Sequence, residues 1–256
     1  MRFCYSFLLV CAIILYIITP CYGIGRDEQN IAQTITIQSL NSDLMFIGVS
    51  ERFSNRDDSI RFALEDAARK LSFFYSVSGE SITRENIGSG ILDFKIDIEY
   101  QLIYDKELDK FLQQLEYDPV TDVFENNNAV FVVTRVLSDV NMPHARGHSF
   151  ARERPYWIDS PPIINDFIVG VGFAPRYLYH SDTIIKSYED AVLAIIENIN
   201  IHIRGENINY QNDFFIDHIS TSTTIARGTL KNFYIIETWT DPASLSVWTL
   251  AVARGE

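Results

Sequence analysis

Apolar residues recur along this chain at helical spacing in two places. Ile60, Ala63, Leu64, Ala67, Ala68, Leu71 and Phe74 fall three and four apart, which lines one side of a helix. Ile184, Tyr188, Ala191, Val192 and Ile195 make a second stripe of the same kind. Asp57 and Asp58 ahead of the first stripe, and Ser181 and Asp182 ahead of the second, are residue types that cap helix N-termini. Elsewhere the period falls to two. Phe94, Ile96, Ile98, Tyr100, Leu102 and Tyr104 alternate with polar residues, as expected of a strand with one buried face. Residues 44–49 read as a short apolar strand ending in a glycine turn, and residues 111–117 and 129–136 as further strands, although 106–115 is also readable as helix. Residues 230–240 and 245–253, joined by Asp241-Pro242-Ala243-Ser244, read as a hairpin. The fold class expected is α+β, with two modules that each pack one main helix on a mostly antiparallel sheet.

The two modules carry matching motifs in one order. Phe46-Ile47-Gly48-Val49 returns as Ile168-Val169-Gly170-Val171, Glu65-Asp66-Ala67 as Glu189-Asp190-Ala191, and Gly79-Glu80 as Gly205-Glu206. Asp93-Phe94-Lys95-Ile96-Asp97 returns as Asp213-Phe214-Phe215-Ile216-Asp217, and Asp118-Pro119 as Asp241-Pro242. The offsets lie between 120 and 126 residues, so a tandem duplication is expected, with repeats at 24–137 and 167–256. The intervening 138–166 holds Pro143, Pro155, Pro161 and Pro162, a density that disfavours regular structure and stiffens a linker.

The N-terminal pattern bears on compartment. Arg2 precedes an apolar run over residues 7–18, which is shorter than the roughly 20 residues a membrane-spanning helix needs, so residues 1–23 read as a secretory signal. Cleavage after Gly23 would release a product beginning at Ile24. Lipidation of Cys21 in a loose lipobox is the second route, and a retained leader the third. All three cysteines, Cys4, Cys11 and Cys21, fall in this leader, so the remainder can form no internal disulfide and offers no thiolate for metal binding or catalysis.

Composition then narrows the partners. With 34 acidic and 21 basic side chains the chain carries a formal charge of −13, which disfavours nucleic acid and anionic membrane surfaces. A membrane contact is expected only through a lipid at Cys21 or an uncleaved leader. Candidate chemistry is sparse. His144 and His148 are four apart, but Pro143 and Gly147 argue against the helix that would turn both toward one metal, so no metal and no cofactor is expected. The pairs Glu65/Asp66 and Glu189/Asp190 fall off the apolar stripes, which predicts solvated side chains rather than an acid–base pair. Gly48 and Gly170-Val171-Gly172 lack the spacing of a phosphate loop and predict a bulge or a close backbone approach at the strand end instead. Continuing from Asp217 without a gap puts His218, Ser220, Ser222 and Thr224 where the first repeat has apolar residues. Either the register shifts by one residue, or His218, Ser220 and Ser222 form a polar ligand face.

The secretory leader, the Gly-Val-Gly strand, the helix with Glu-Asp-Ala, the Ser/Thr-rich strand, Glu237-Thr238-Trp239 and the final Val247-Trp248-Thr249-Leu250-Ala251 together resemble the lipoprotein-20 family of bacterial cell-envelope proteins. The likeness is best over residues 167–254. It implies an exported, often lipid-anchored envelope protein with an α+β domain and no established enzymatic site, and it carries over no catalytic residue. The function expected is therefore non-enzymatic, in structure, assembly or binding, at the periplasm or cell envelope, with envelope proteins or an extracytoplasmic ligand as partners. The alternative is a secreted hydrolase working through Asp and Glu carboxylates with His218 or His202.

Overall fold

Both apolar stripes are helices in the computed structural model, which describes residues 35–36, 43–87, 94–207 and 221–254. Cys21, the Asp213–Asp217 motif, His218 and Ser220 lie outside the described residues. In chain order the elements are β1 (Ile35–Thr36), β2 (Asp43–Ser50), α1 (Arg56–Tyr75), β3 (Val77–Ile87), β4 (Phe94–Tyr104), α2 (Asp109–Leu112), β5 (Val123–Glu125), β6 (Val130–Leu137), β7 (Gly147–Ser149), a 3-10 turn (Tyr156–Ile158), β8 (Ile168–Ala174), α3 (His180–Asn207), β9 (Thr221–Thr240) and β10 (Val247–Arg254). The class is α+β, with few helices packed on mainly antiparallel sheets.

Local chemistry moves two boundaries. The N-cap of α1 is Asn55, in extended backbone, whose side chain accepts from the Asp57 N–H at 3.1 Å. Asp57 and Asp58 sit inside the first turn, where their charge meets the helix dipole rather than capping it. In the same way α3 already begins at His180, so Ser181 and Asp182 belong to its first turn. Residues 111–117 are not a strand. Phe111 is buried on the short helix α2 with its ring 5.7 Å from that of Tyr75, and only Glu116 makes a bridge, to Arg135.

The strands form two sheets. One is β2-β6-β5, antiparallel throughout. The other runs β1-β7-β9-β10-β8, with the β3–β4 hairpin joined to β9. The long β9 changes partners along its length: residues up to Leu230 pair with β3, and residues from Lys231 pair with β10 on one side and, at Glu237–Trp239, with β7 on the other. The hand-over falls at a register shift beside Asn232, which takes φ 54°, a conformation Asn tolerates better than most residues. One sheet thus draws on both halves of the chain, and all described residues fall in one compact unit, Gln33–Glu256. The proline-rich stretch joins it as well. β7 pairs parallel to β9, and Trp157, 1% exposed, packs in the core with Tyr234, Trp239 and Leu250.

The helices dock over glycines. A Cβ on Gly48 would lie 1.8 Å from the Ala63 carbonyl oxygen, and one on Gly172 would lie 2.0 Å from that of Ser187. Only glycine admits α1 and α3 this close to β2 and β8. By contact the counterpart of Gly48 is therefore Gly172, 124 residues on, and not Gly170 as the motif match places it. Gly79 and Gly205 do not correspond either, because Gly79 lies in β3 while α3 continues through Gly205. Asp118 and Asp241 do behave alike. Each accepts from the N–H two residues on, at 2.8 and 2.9 Å, and each carbonyl accepts from the N–H four residues on.

Candidate functional site

Asp66 and Lys70, two of the buried charged residues, meet where α1 crosses the free edge of β2, while a third, Asp122, is paired with Arg135 of β6. A strand at the end of a sheet leaves every second N–H and C=O without a ladder partner, and inside a protein those groups must be satisfied. Along β2 three side chains do so. The Tyr234 hydroxyl accepts from Met45 N–H at 3.0 Å, Lys70 Nζ donates to the Ile47 carbonyl at 2.5 Å, and Asp66 Oδ2 accepts from Val49 N–H at 3.0 Å. Asp66 also accepts from Lys70 Nζ at 2.7 Å and from the Tyr188 hydroxyl of α3 at 2.7 Å. Asp66 is 3% exposed and Lys70 5%. The expectation that Asp66 is solvated is therefore overturned: it lies off the apolar stripe but points along the sheet edge, where a carboxylate can take three donors. Burial pushes the Lys70 ammonium down, against the pull of Asp66. Burial and the neighbouring Asp66 charge raise the Tyr188 phenol well above its usual value.

On β8 the same position has a different environment. Asp190 accepts from Phe173 N–H at 2.8 Å, 17 residues ahead of it, as Asp66 does from Val49. Asp190 is nevertheless exposed, and Glu189 is engaged by Lys186 at 2.6 Å. A second pair of contacts repeats as well: Ser59 Oγ accepts from Phe53 N–H at 2.9 Å, and Thr183 Oγ1 from Tyr177 N–H at 3.0 Å.

Beside the network lies a buried imidazole pair. His148 Nε2 is 2.8 Å and His180 Nε2 3.3 Å from the one hydroxyl oxygen of Thr240, and the His148 ring stacks on Phe150 at 4.5 Å. Burial first, and then the His180 and Lys70 charges, hold His148 well below its usual value. Burial, with Arg176 adding, takes His180 down to about 4. Both rings are therefore neutral near pH 7. His148 and Lys70 border a cavity of about 30 Å³, lined otherwise by residues such as Phe46, Phe131, Ile184 and Ile236. That is space for one or two water molecules, not for a substrate.

The residues singled out in the sequence do not converge. His144 is exposed in a surface cleft of about 310 Å³ with Asp43, Ser138 and Asp139, while His148 points inward to Thr240. Among the described residues no group of three His, Asp or Glu side chains is placed to hold a metal, and no helix is long and apolar enough to cross a membrane. Ser222 lies in β9 opposite Glu85, and His202 in α3. Sequence reasoning passed over Lys70 and His180, and read Tyr188 only as part of the apolar stripe. The available signal was the i, i+4 pair Asp66–Lys70, a spacing that lets two side chains meet on one helix flank, beside an alanine-rich stripe.

No family model, curated protein or solved structure matches the chain.

Proposed function

We propose that this chain is an exported, lipoprotein-like cell-envelope protein with a structural, assembly or binding role and no catalysis of its own, built from two strand–helix units that arose by tandem duplication. The observation that carries the non-enzymatic reading is the commitment of Asp66, Lys70 and Tyr188 to one another and to the β2 edge, beside a space too small for a substrate. Duplication is supported by the paired contacts at Gly48/Gly172, Asp66/Asp190 and Ser59/Thr183, each 124 residues apart, and by the two Asp-Pro turns. Export rests on the charged and apolar pattern of residues 1–23, and the lipoprotein-20 likeness of residues 167–254 agrees with it.

Mass spectrometry of the N-terminus, on protein recovered from the envelope and cytosolic fractions of its native cells, tests this reading. An acylated Cys21 or a chain beginning at Ile24 supports export, and an intact Met1 in a cytosolic fraction refutes it.

A further inference from the structure

β8 is the end strand of its sheet among the described residues, and it is closed less completely than β2. Its outward backbone groups belong to Val169, Val171 and Phe173, because Asn198 Nδ2 donates to the Val169 carbonyl at 3.2 Å and Asp190 accepts from Phe173 N–H. Val171 lies between them, where Ile47 lies in β2. The Ile47 carbonyl has Lys70, whereas the residue 124 beyond Lys70 is Ala194, a half-exposed methyl. Among the described residues the outward N–H and C=O of Val171 have no hydrogen-bond partner, on a strand whose sequence, IVGVGFA, holds neither charge nor proline to discourage pairing.

The flank beside this edge is self-complementary. Four strand residues from Phe173 to Val169 span about 13 Å, and eight helix residues from Asp190 to Asn198 about 12 Å. Strand and helix keep step, so Ala194 stands level with Val171. A two-fold axis through these two residues would set Val171 against Val171 and Val169 against Phe173 of the other copy. On the helices it would face Asp190, an acceptor, with Asn198, a donor, on each side of a central pair of alanines. Both Asp190 and Asn198 are exposed.

From this geometry we infer that β8 and the Asp190–Ala194–Asn198 flank of α3 form an isologous interface between two copies of this chain, joined as one continuous antiparallel sheet. The backbone bonds now made by Asp190 and Asn198 pass to the partner strand, and the two side chains pair across the axis. This assembly stands whether or not the chain is exported.

Sedimentation velocity on the protein expressed with its own leader, with detergent present if the leader is retained, tests the interface. The wild type sediments as a dimer at about 0.1 mM. Val171→Pro blocks the edge without removing a bond to β10, because its N–H points outward. Ala194→Lys supplies the cation that Lys70 provides in the first half. Each yields a monomer with unchanged circular dichroism. Asn198→Asp sets two carboxylates against each other and weakens association at least tenfold, whereas Ala194→Cys is cross-linked across the axis by a short bis-maleimide. If Val171→Pro does not fold, Ala194→Lys and the cross-link decide the matter alone. A wild-type monomer at this concentration, or a dimer indifferent to Ala194→Lys and Asn198→Asp, overturns the inference.

Discussion

Replacing Asp66 by alanine separates a buried structural charge from its exposed counterpart at Asp190. Asp66 takes three donors, from Val49 N–H, Lys70 and Tyr188, and it is the only carboxylate that Lys70 contacts among the described residues. Its loss leaves an ammonium in the interior with the Ile47 carbonyl, and removing one partner of a buried pair costs about 3–5 kcal/mol. Against a total stability of about 5–15 kcal/mol for a domain, that is a large fraction. At about 2–4 °C per kcal/mol for a chain of this size, the melting temperature should fall by on the order of 10 °C. Asp190→Ala removes one charge-assisted bond at the surface and should cost about 1 kcal/mol. Urea unfolding followed by circular dichroism measures both, and Asp66→Ala/Lys70→Met should recover part of the loss, since the orphaned charge goes with its partner. Equal costs for Asp66→Ala and Asp190→Ala, or strictly additive effects in the double variant, would refute the network as the reason Asp66 is buried.

Four further outcomes follow from the same contacts. Gly172→Ala, whose Cβ would meet the Ser187 carbonyl at 2.0 Å, should lose on the order of 3 kcal/mol, while Gly228→Ala, where the nearest atom is Ile196 Cγ2 at 3.3 Å and no backbone atom is close, should lose about 1 kcal/mol; urea midpoints distinguish them. Asn55→Ala removes the α1 cap and should cost about 1 kcal/mol by the same measurement. His180 binds its proton at about 4 when folded and near 6.5 when unfolded, so the unfolded state takes up protons first as pH falls, and stability should drop between about pH 6.5 and 4 by on the order of 3 kcal/mol. His180→Asn should lessen that slope in thermal melts across this range, with the buried His148 supplying the remainder, and an unchanged slope would remove the His180 imidazole as a cause.

The helices and most strands were legible because their signal is periodic. Ile60, Ala63, Ala67, Leu71 and Phe74 are buried as their spacing requires, as are all five residues of the α3 stripe. What period cannot express is which strand meets which. The sharing of β9 between β3 and β10 depends on a register shift beside Asn232, and nothing in the alternation of residues 221–240 marks it. Residues 111–117 misled for a related reason: Phe111, Leu115 and Tyr117 suit a strand, but Phe111 is buried by one turn of helix against Tyr75.

The edge chemistry was hidden more deeply, because a helix stripe is read against the sheet's face and not against its border. Asp66, Lys70, Asp190 and Ala194 stand on helix flanks, where charged residues ordinarily meet water. On β2 that flank faces the interior, so the sequence needs a carboxylate for Val49 N–H and a cation for the Ile47 carbonyl. On β8 the flank faces outward, and water can serve Val171 in the single chain, so alanine at 194 carries no penalty there. Lys70 and Ala194 therefore report which border is covered by the rest of the fold. Had β8 been covered by apolar side chains alone, Ala194 would leave a buried carbonyl unpaired at a cost of about 1–3 kcal/mol. The small residue is compatible with two conditions only, a solvated border or a second strand that brings its own N–H.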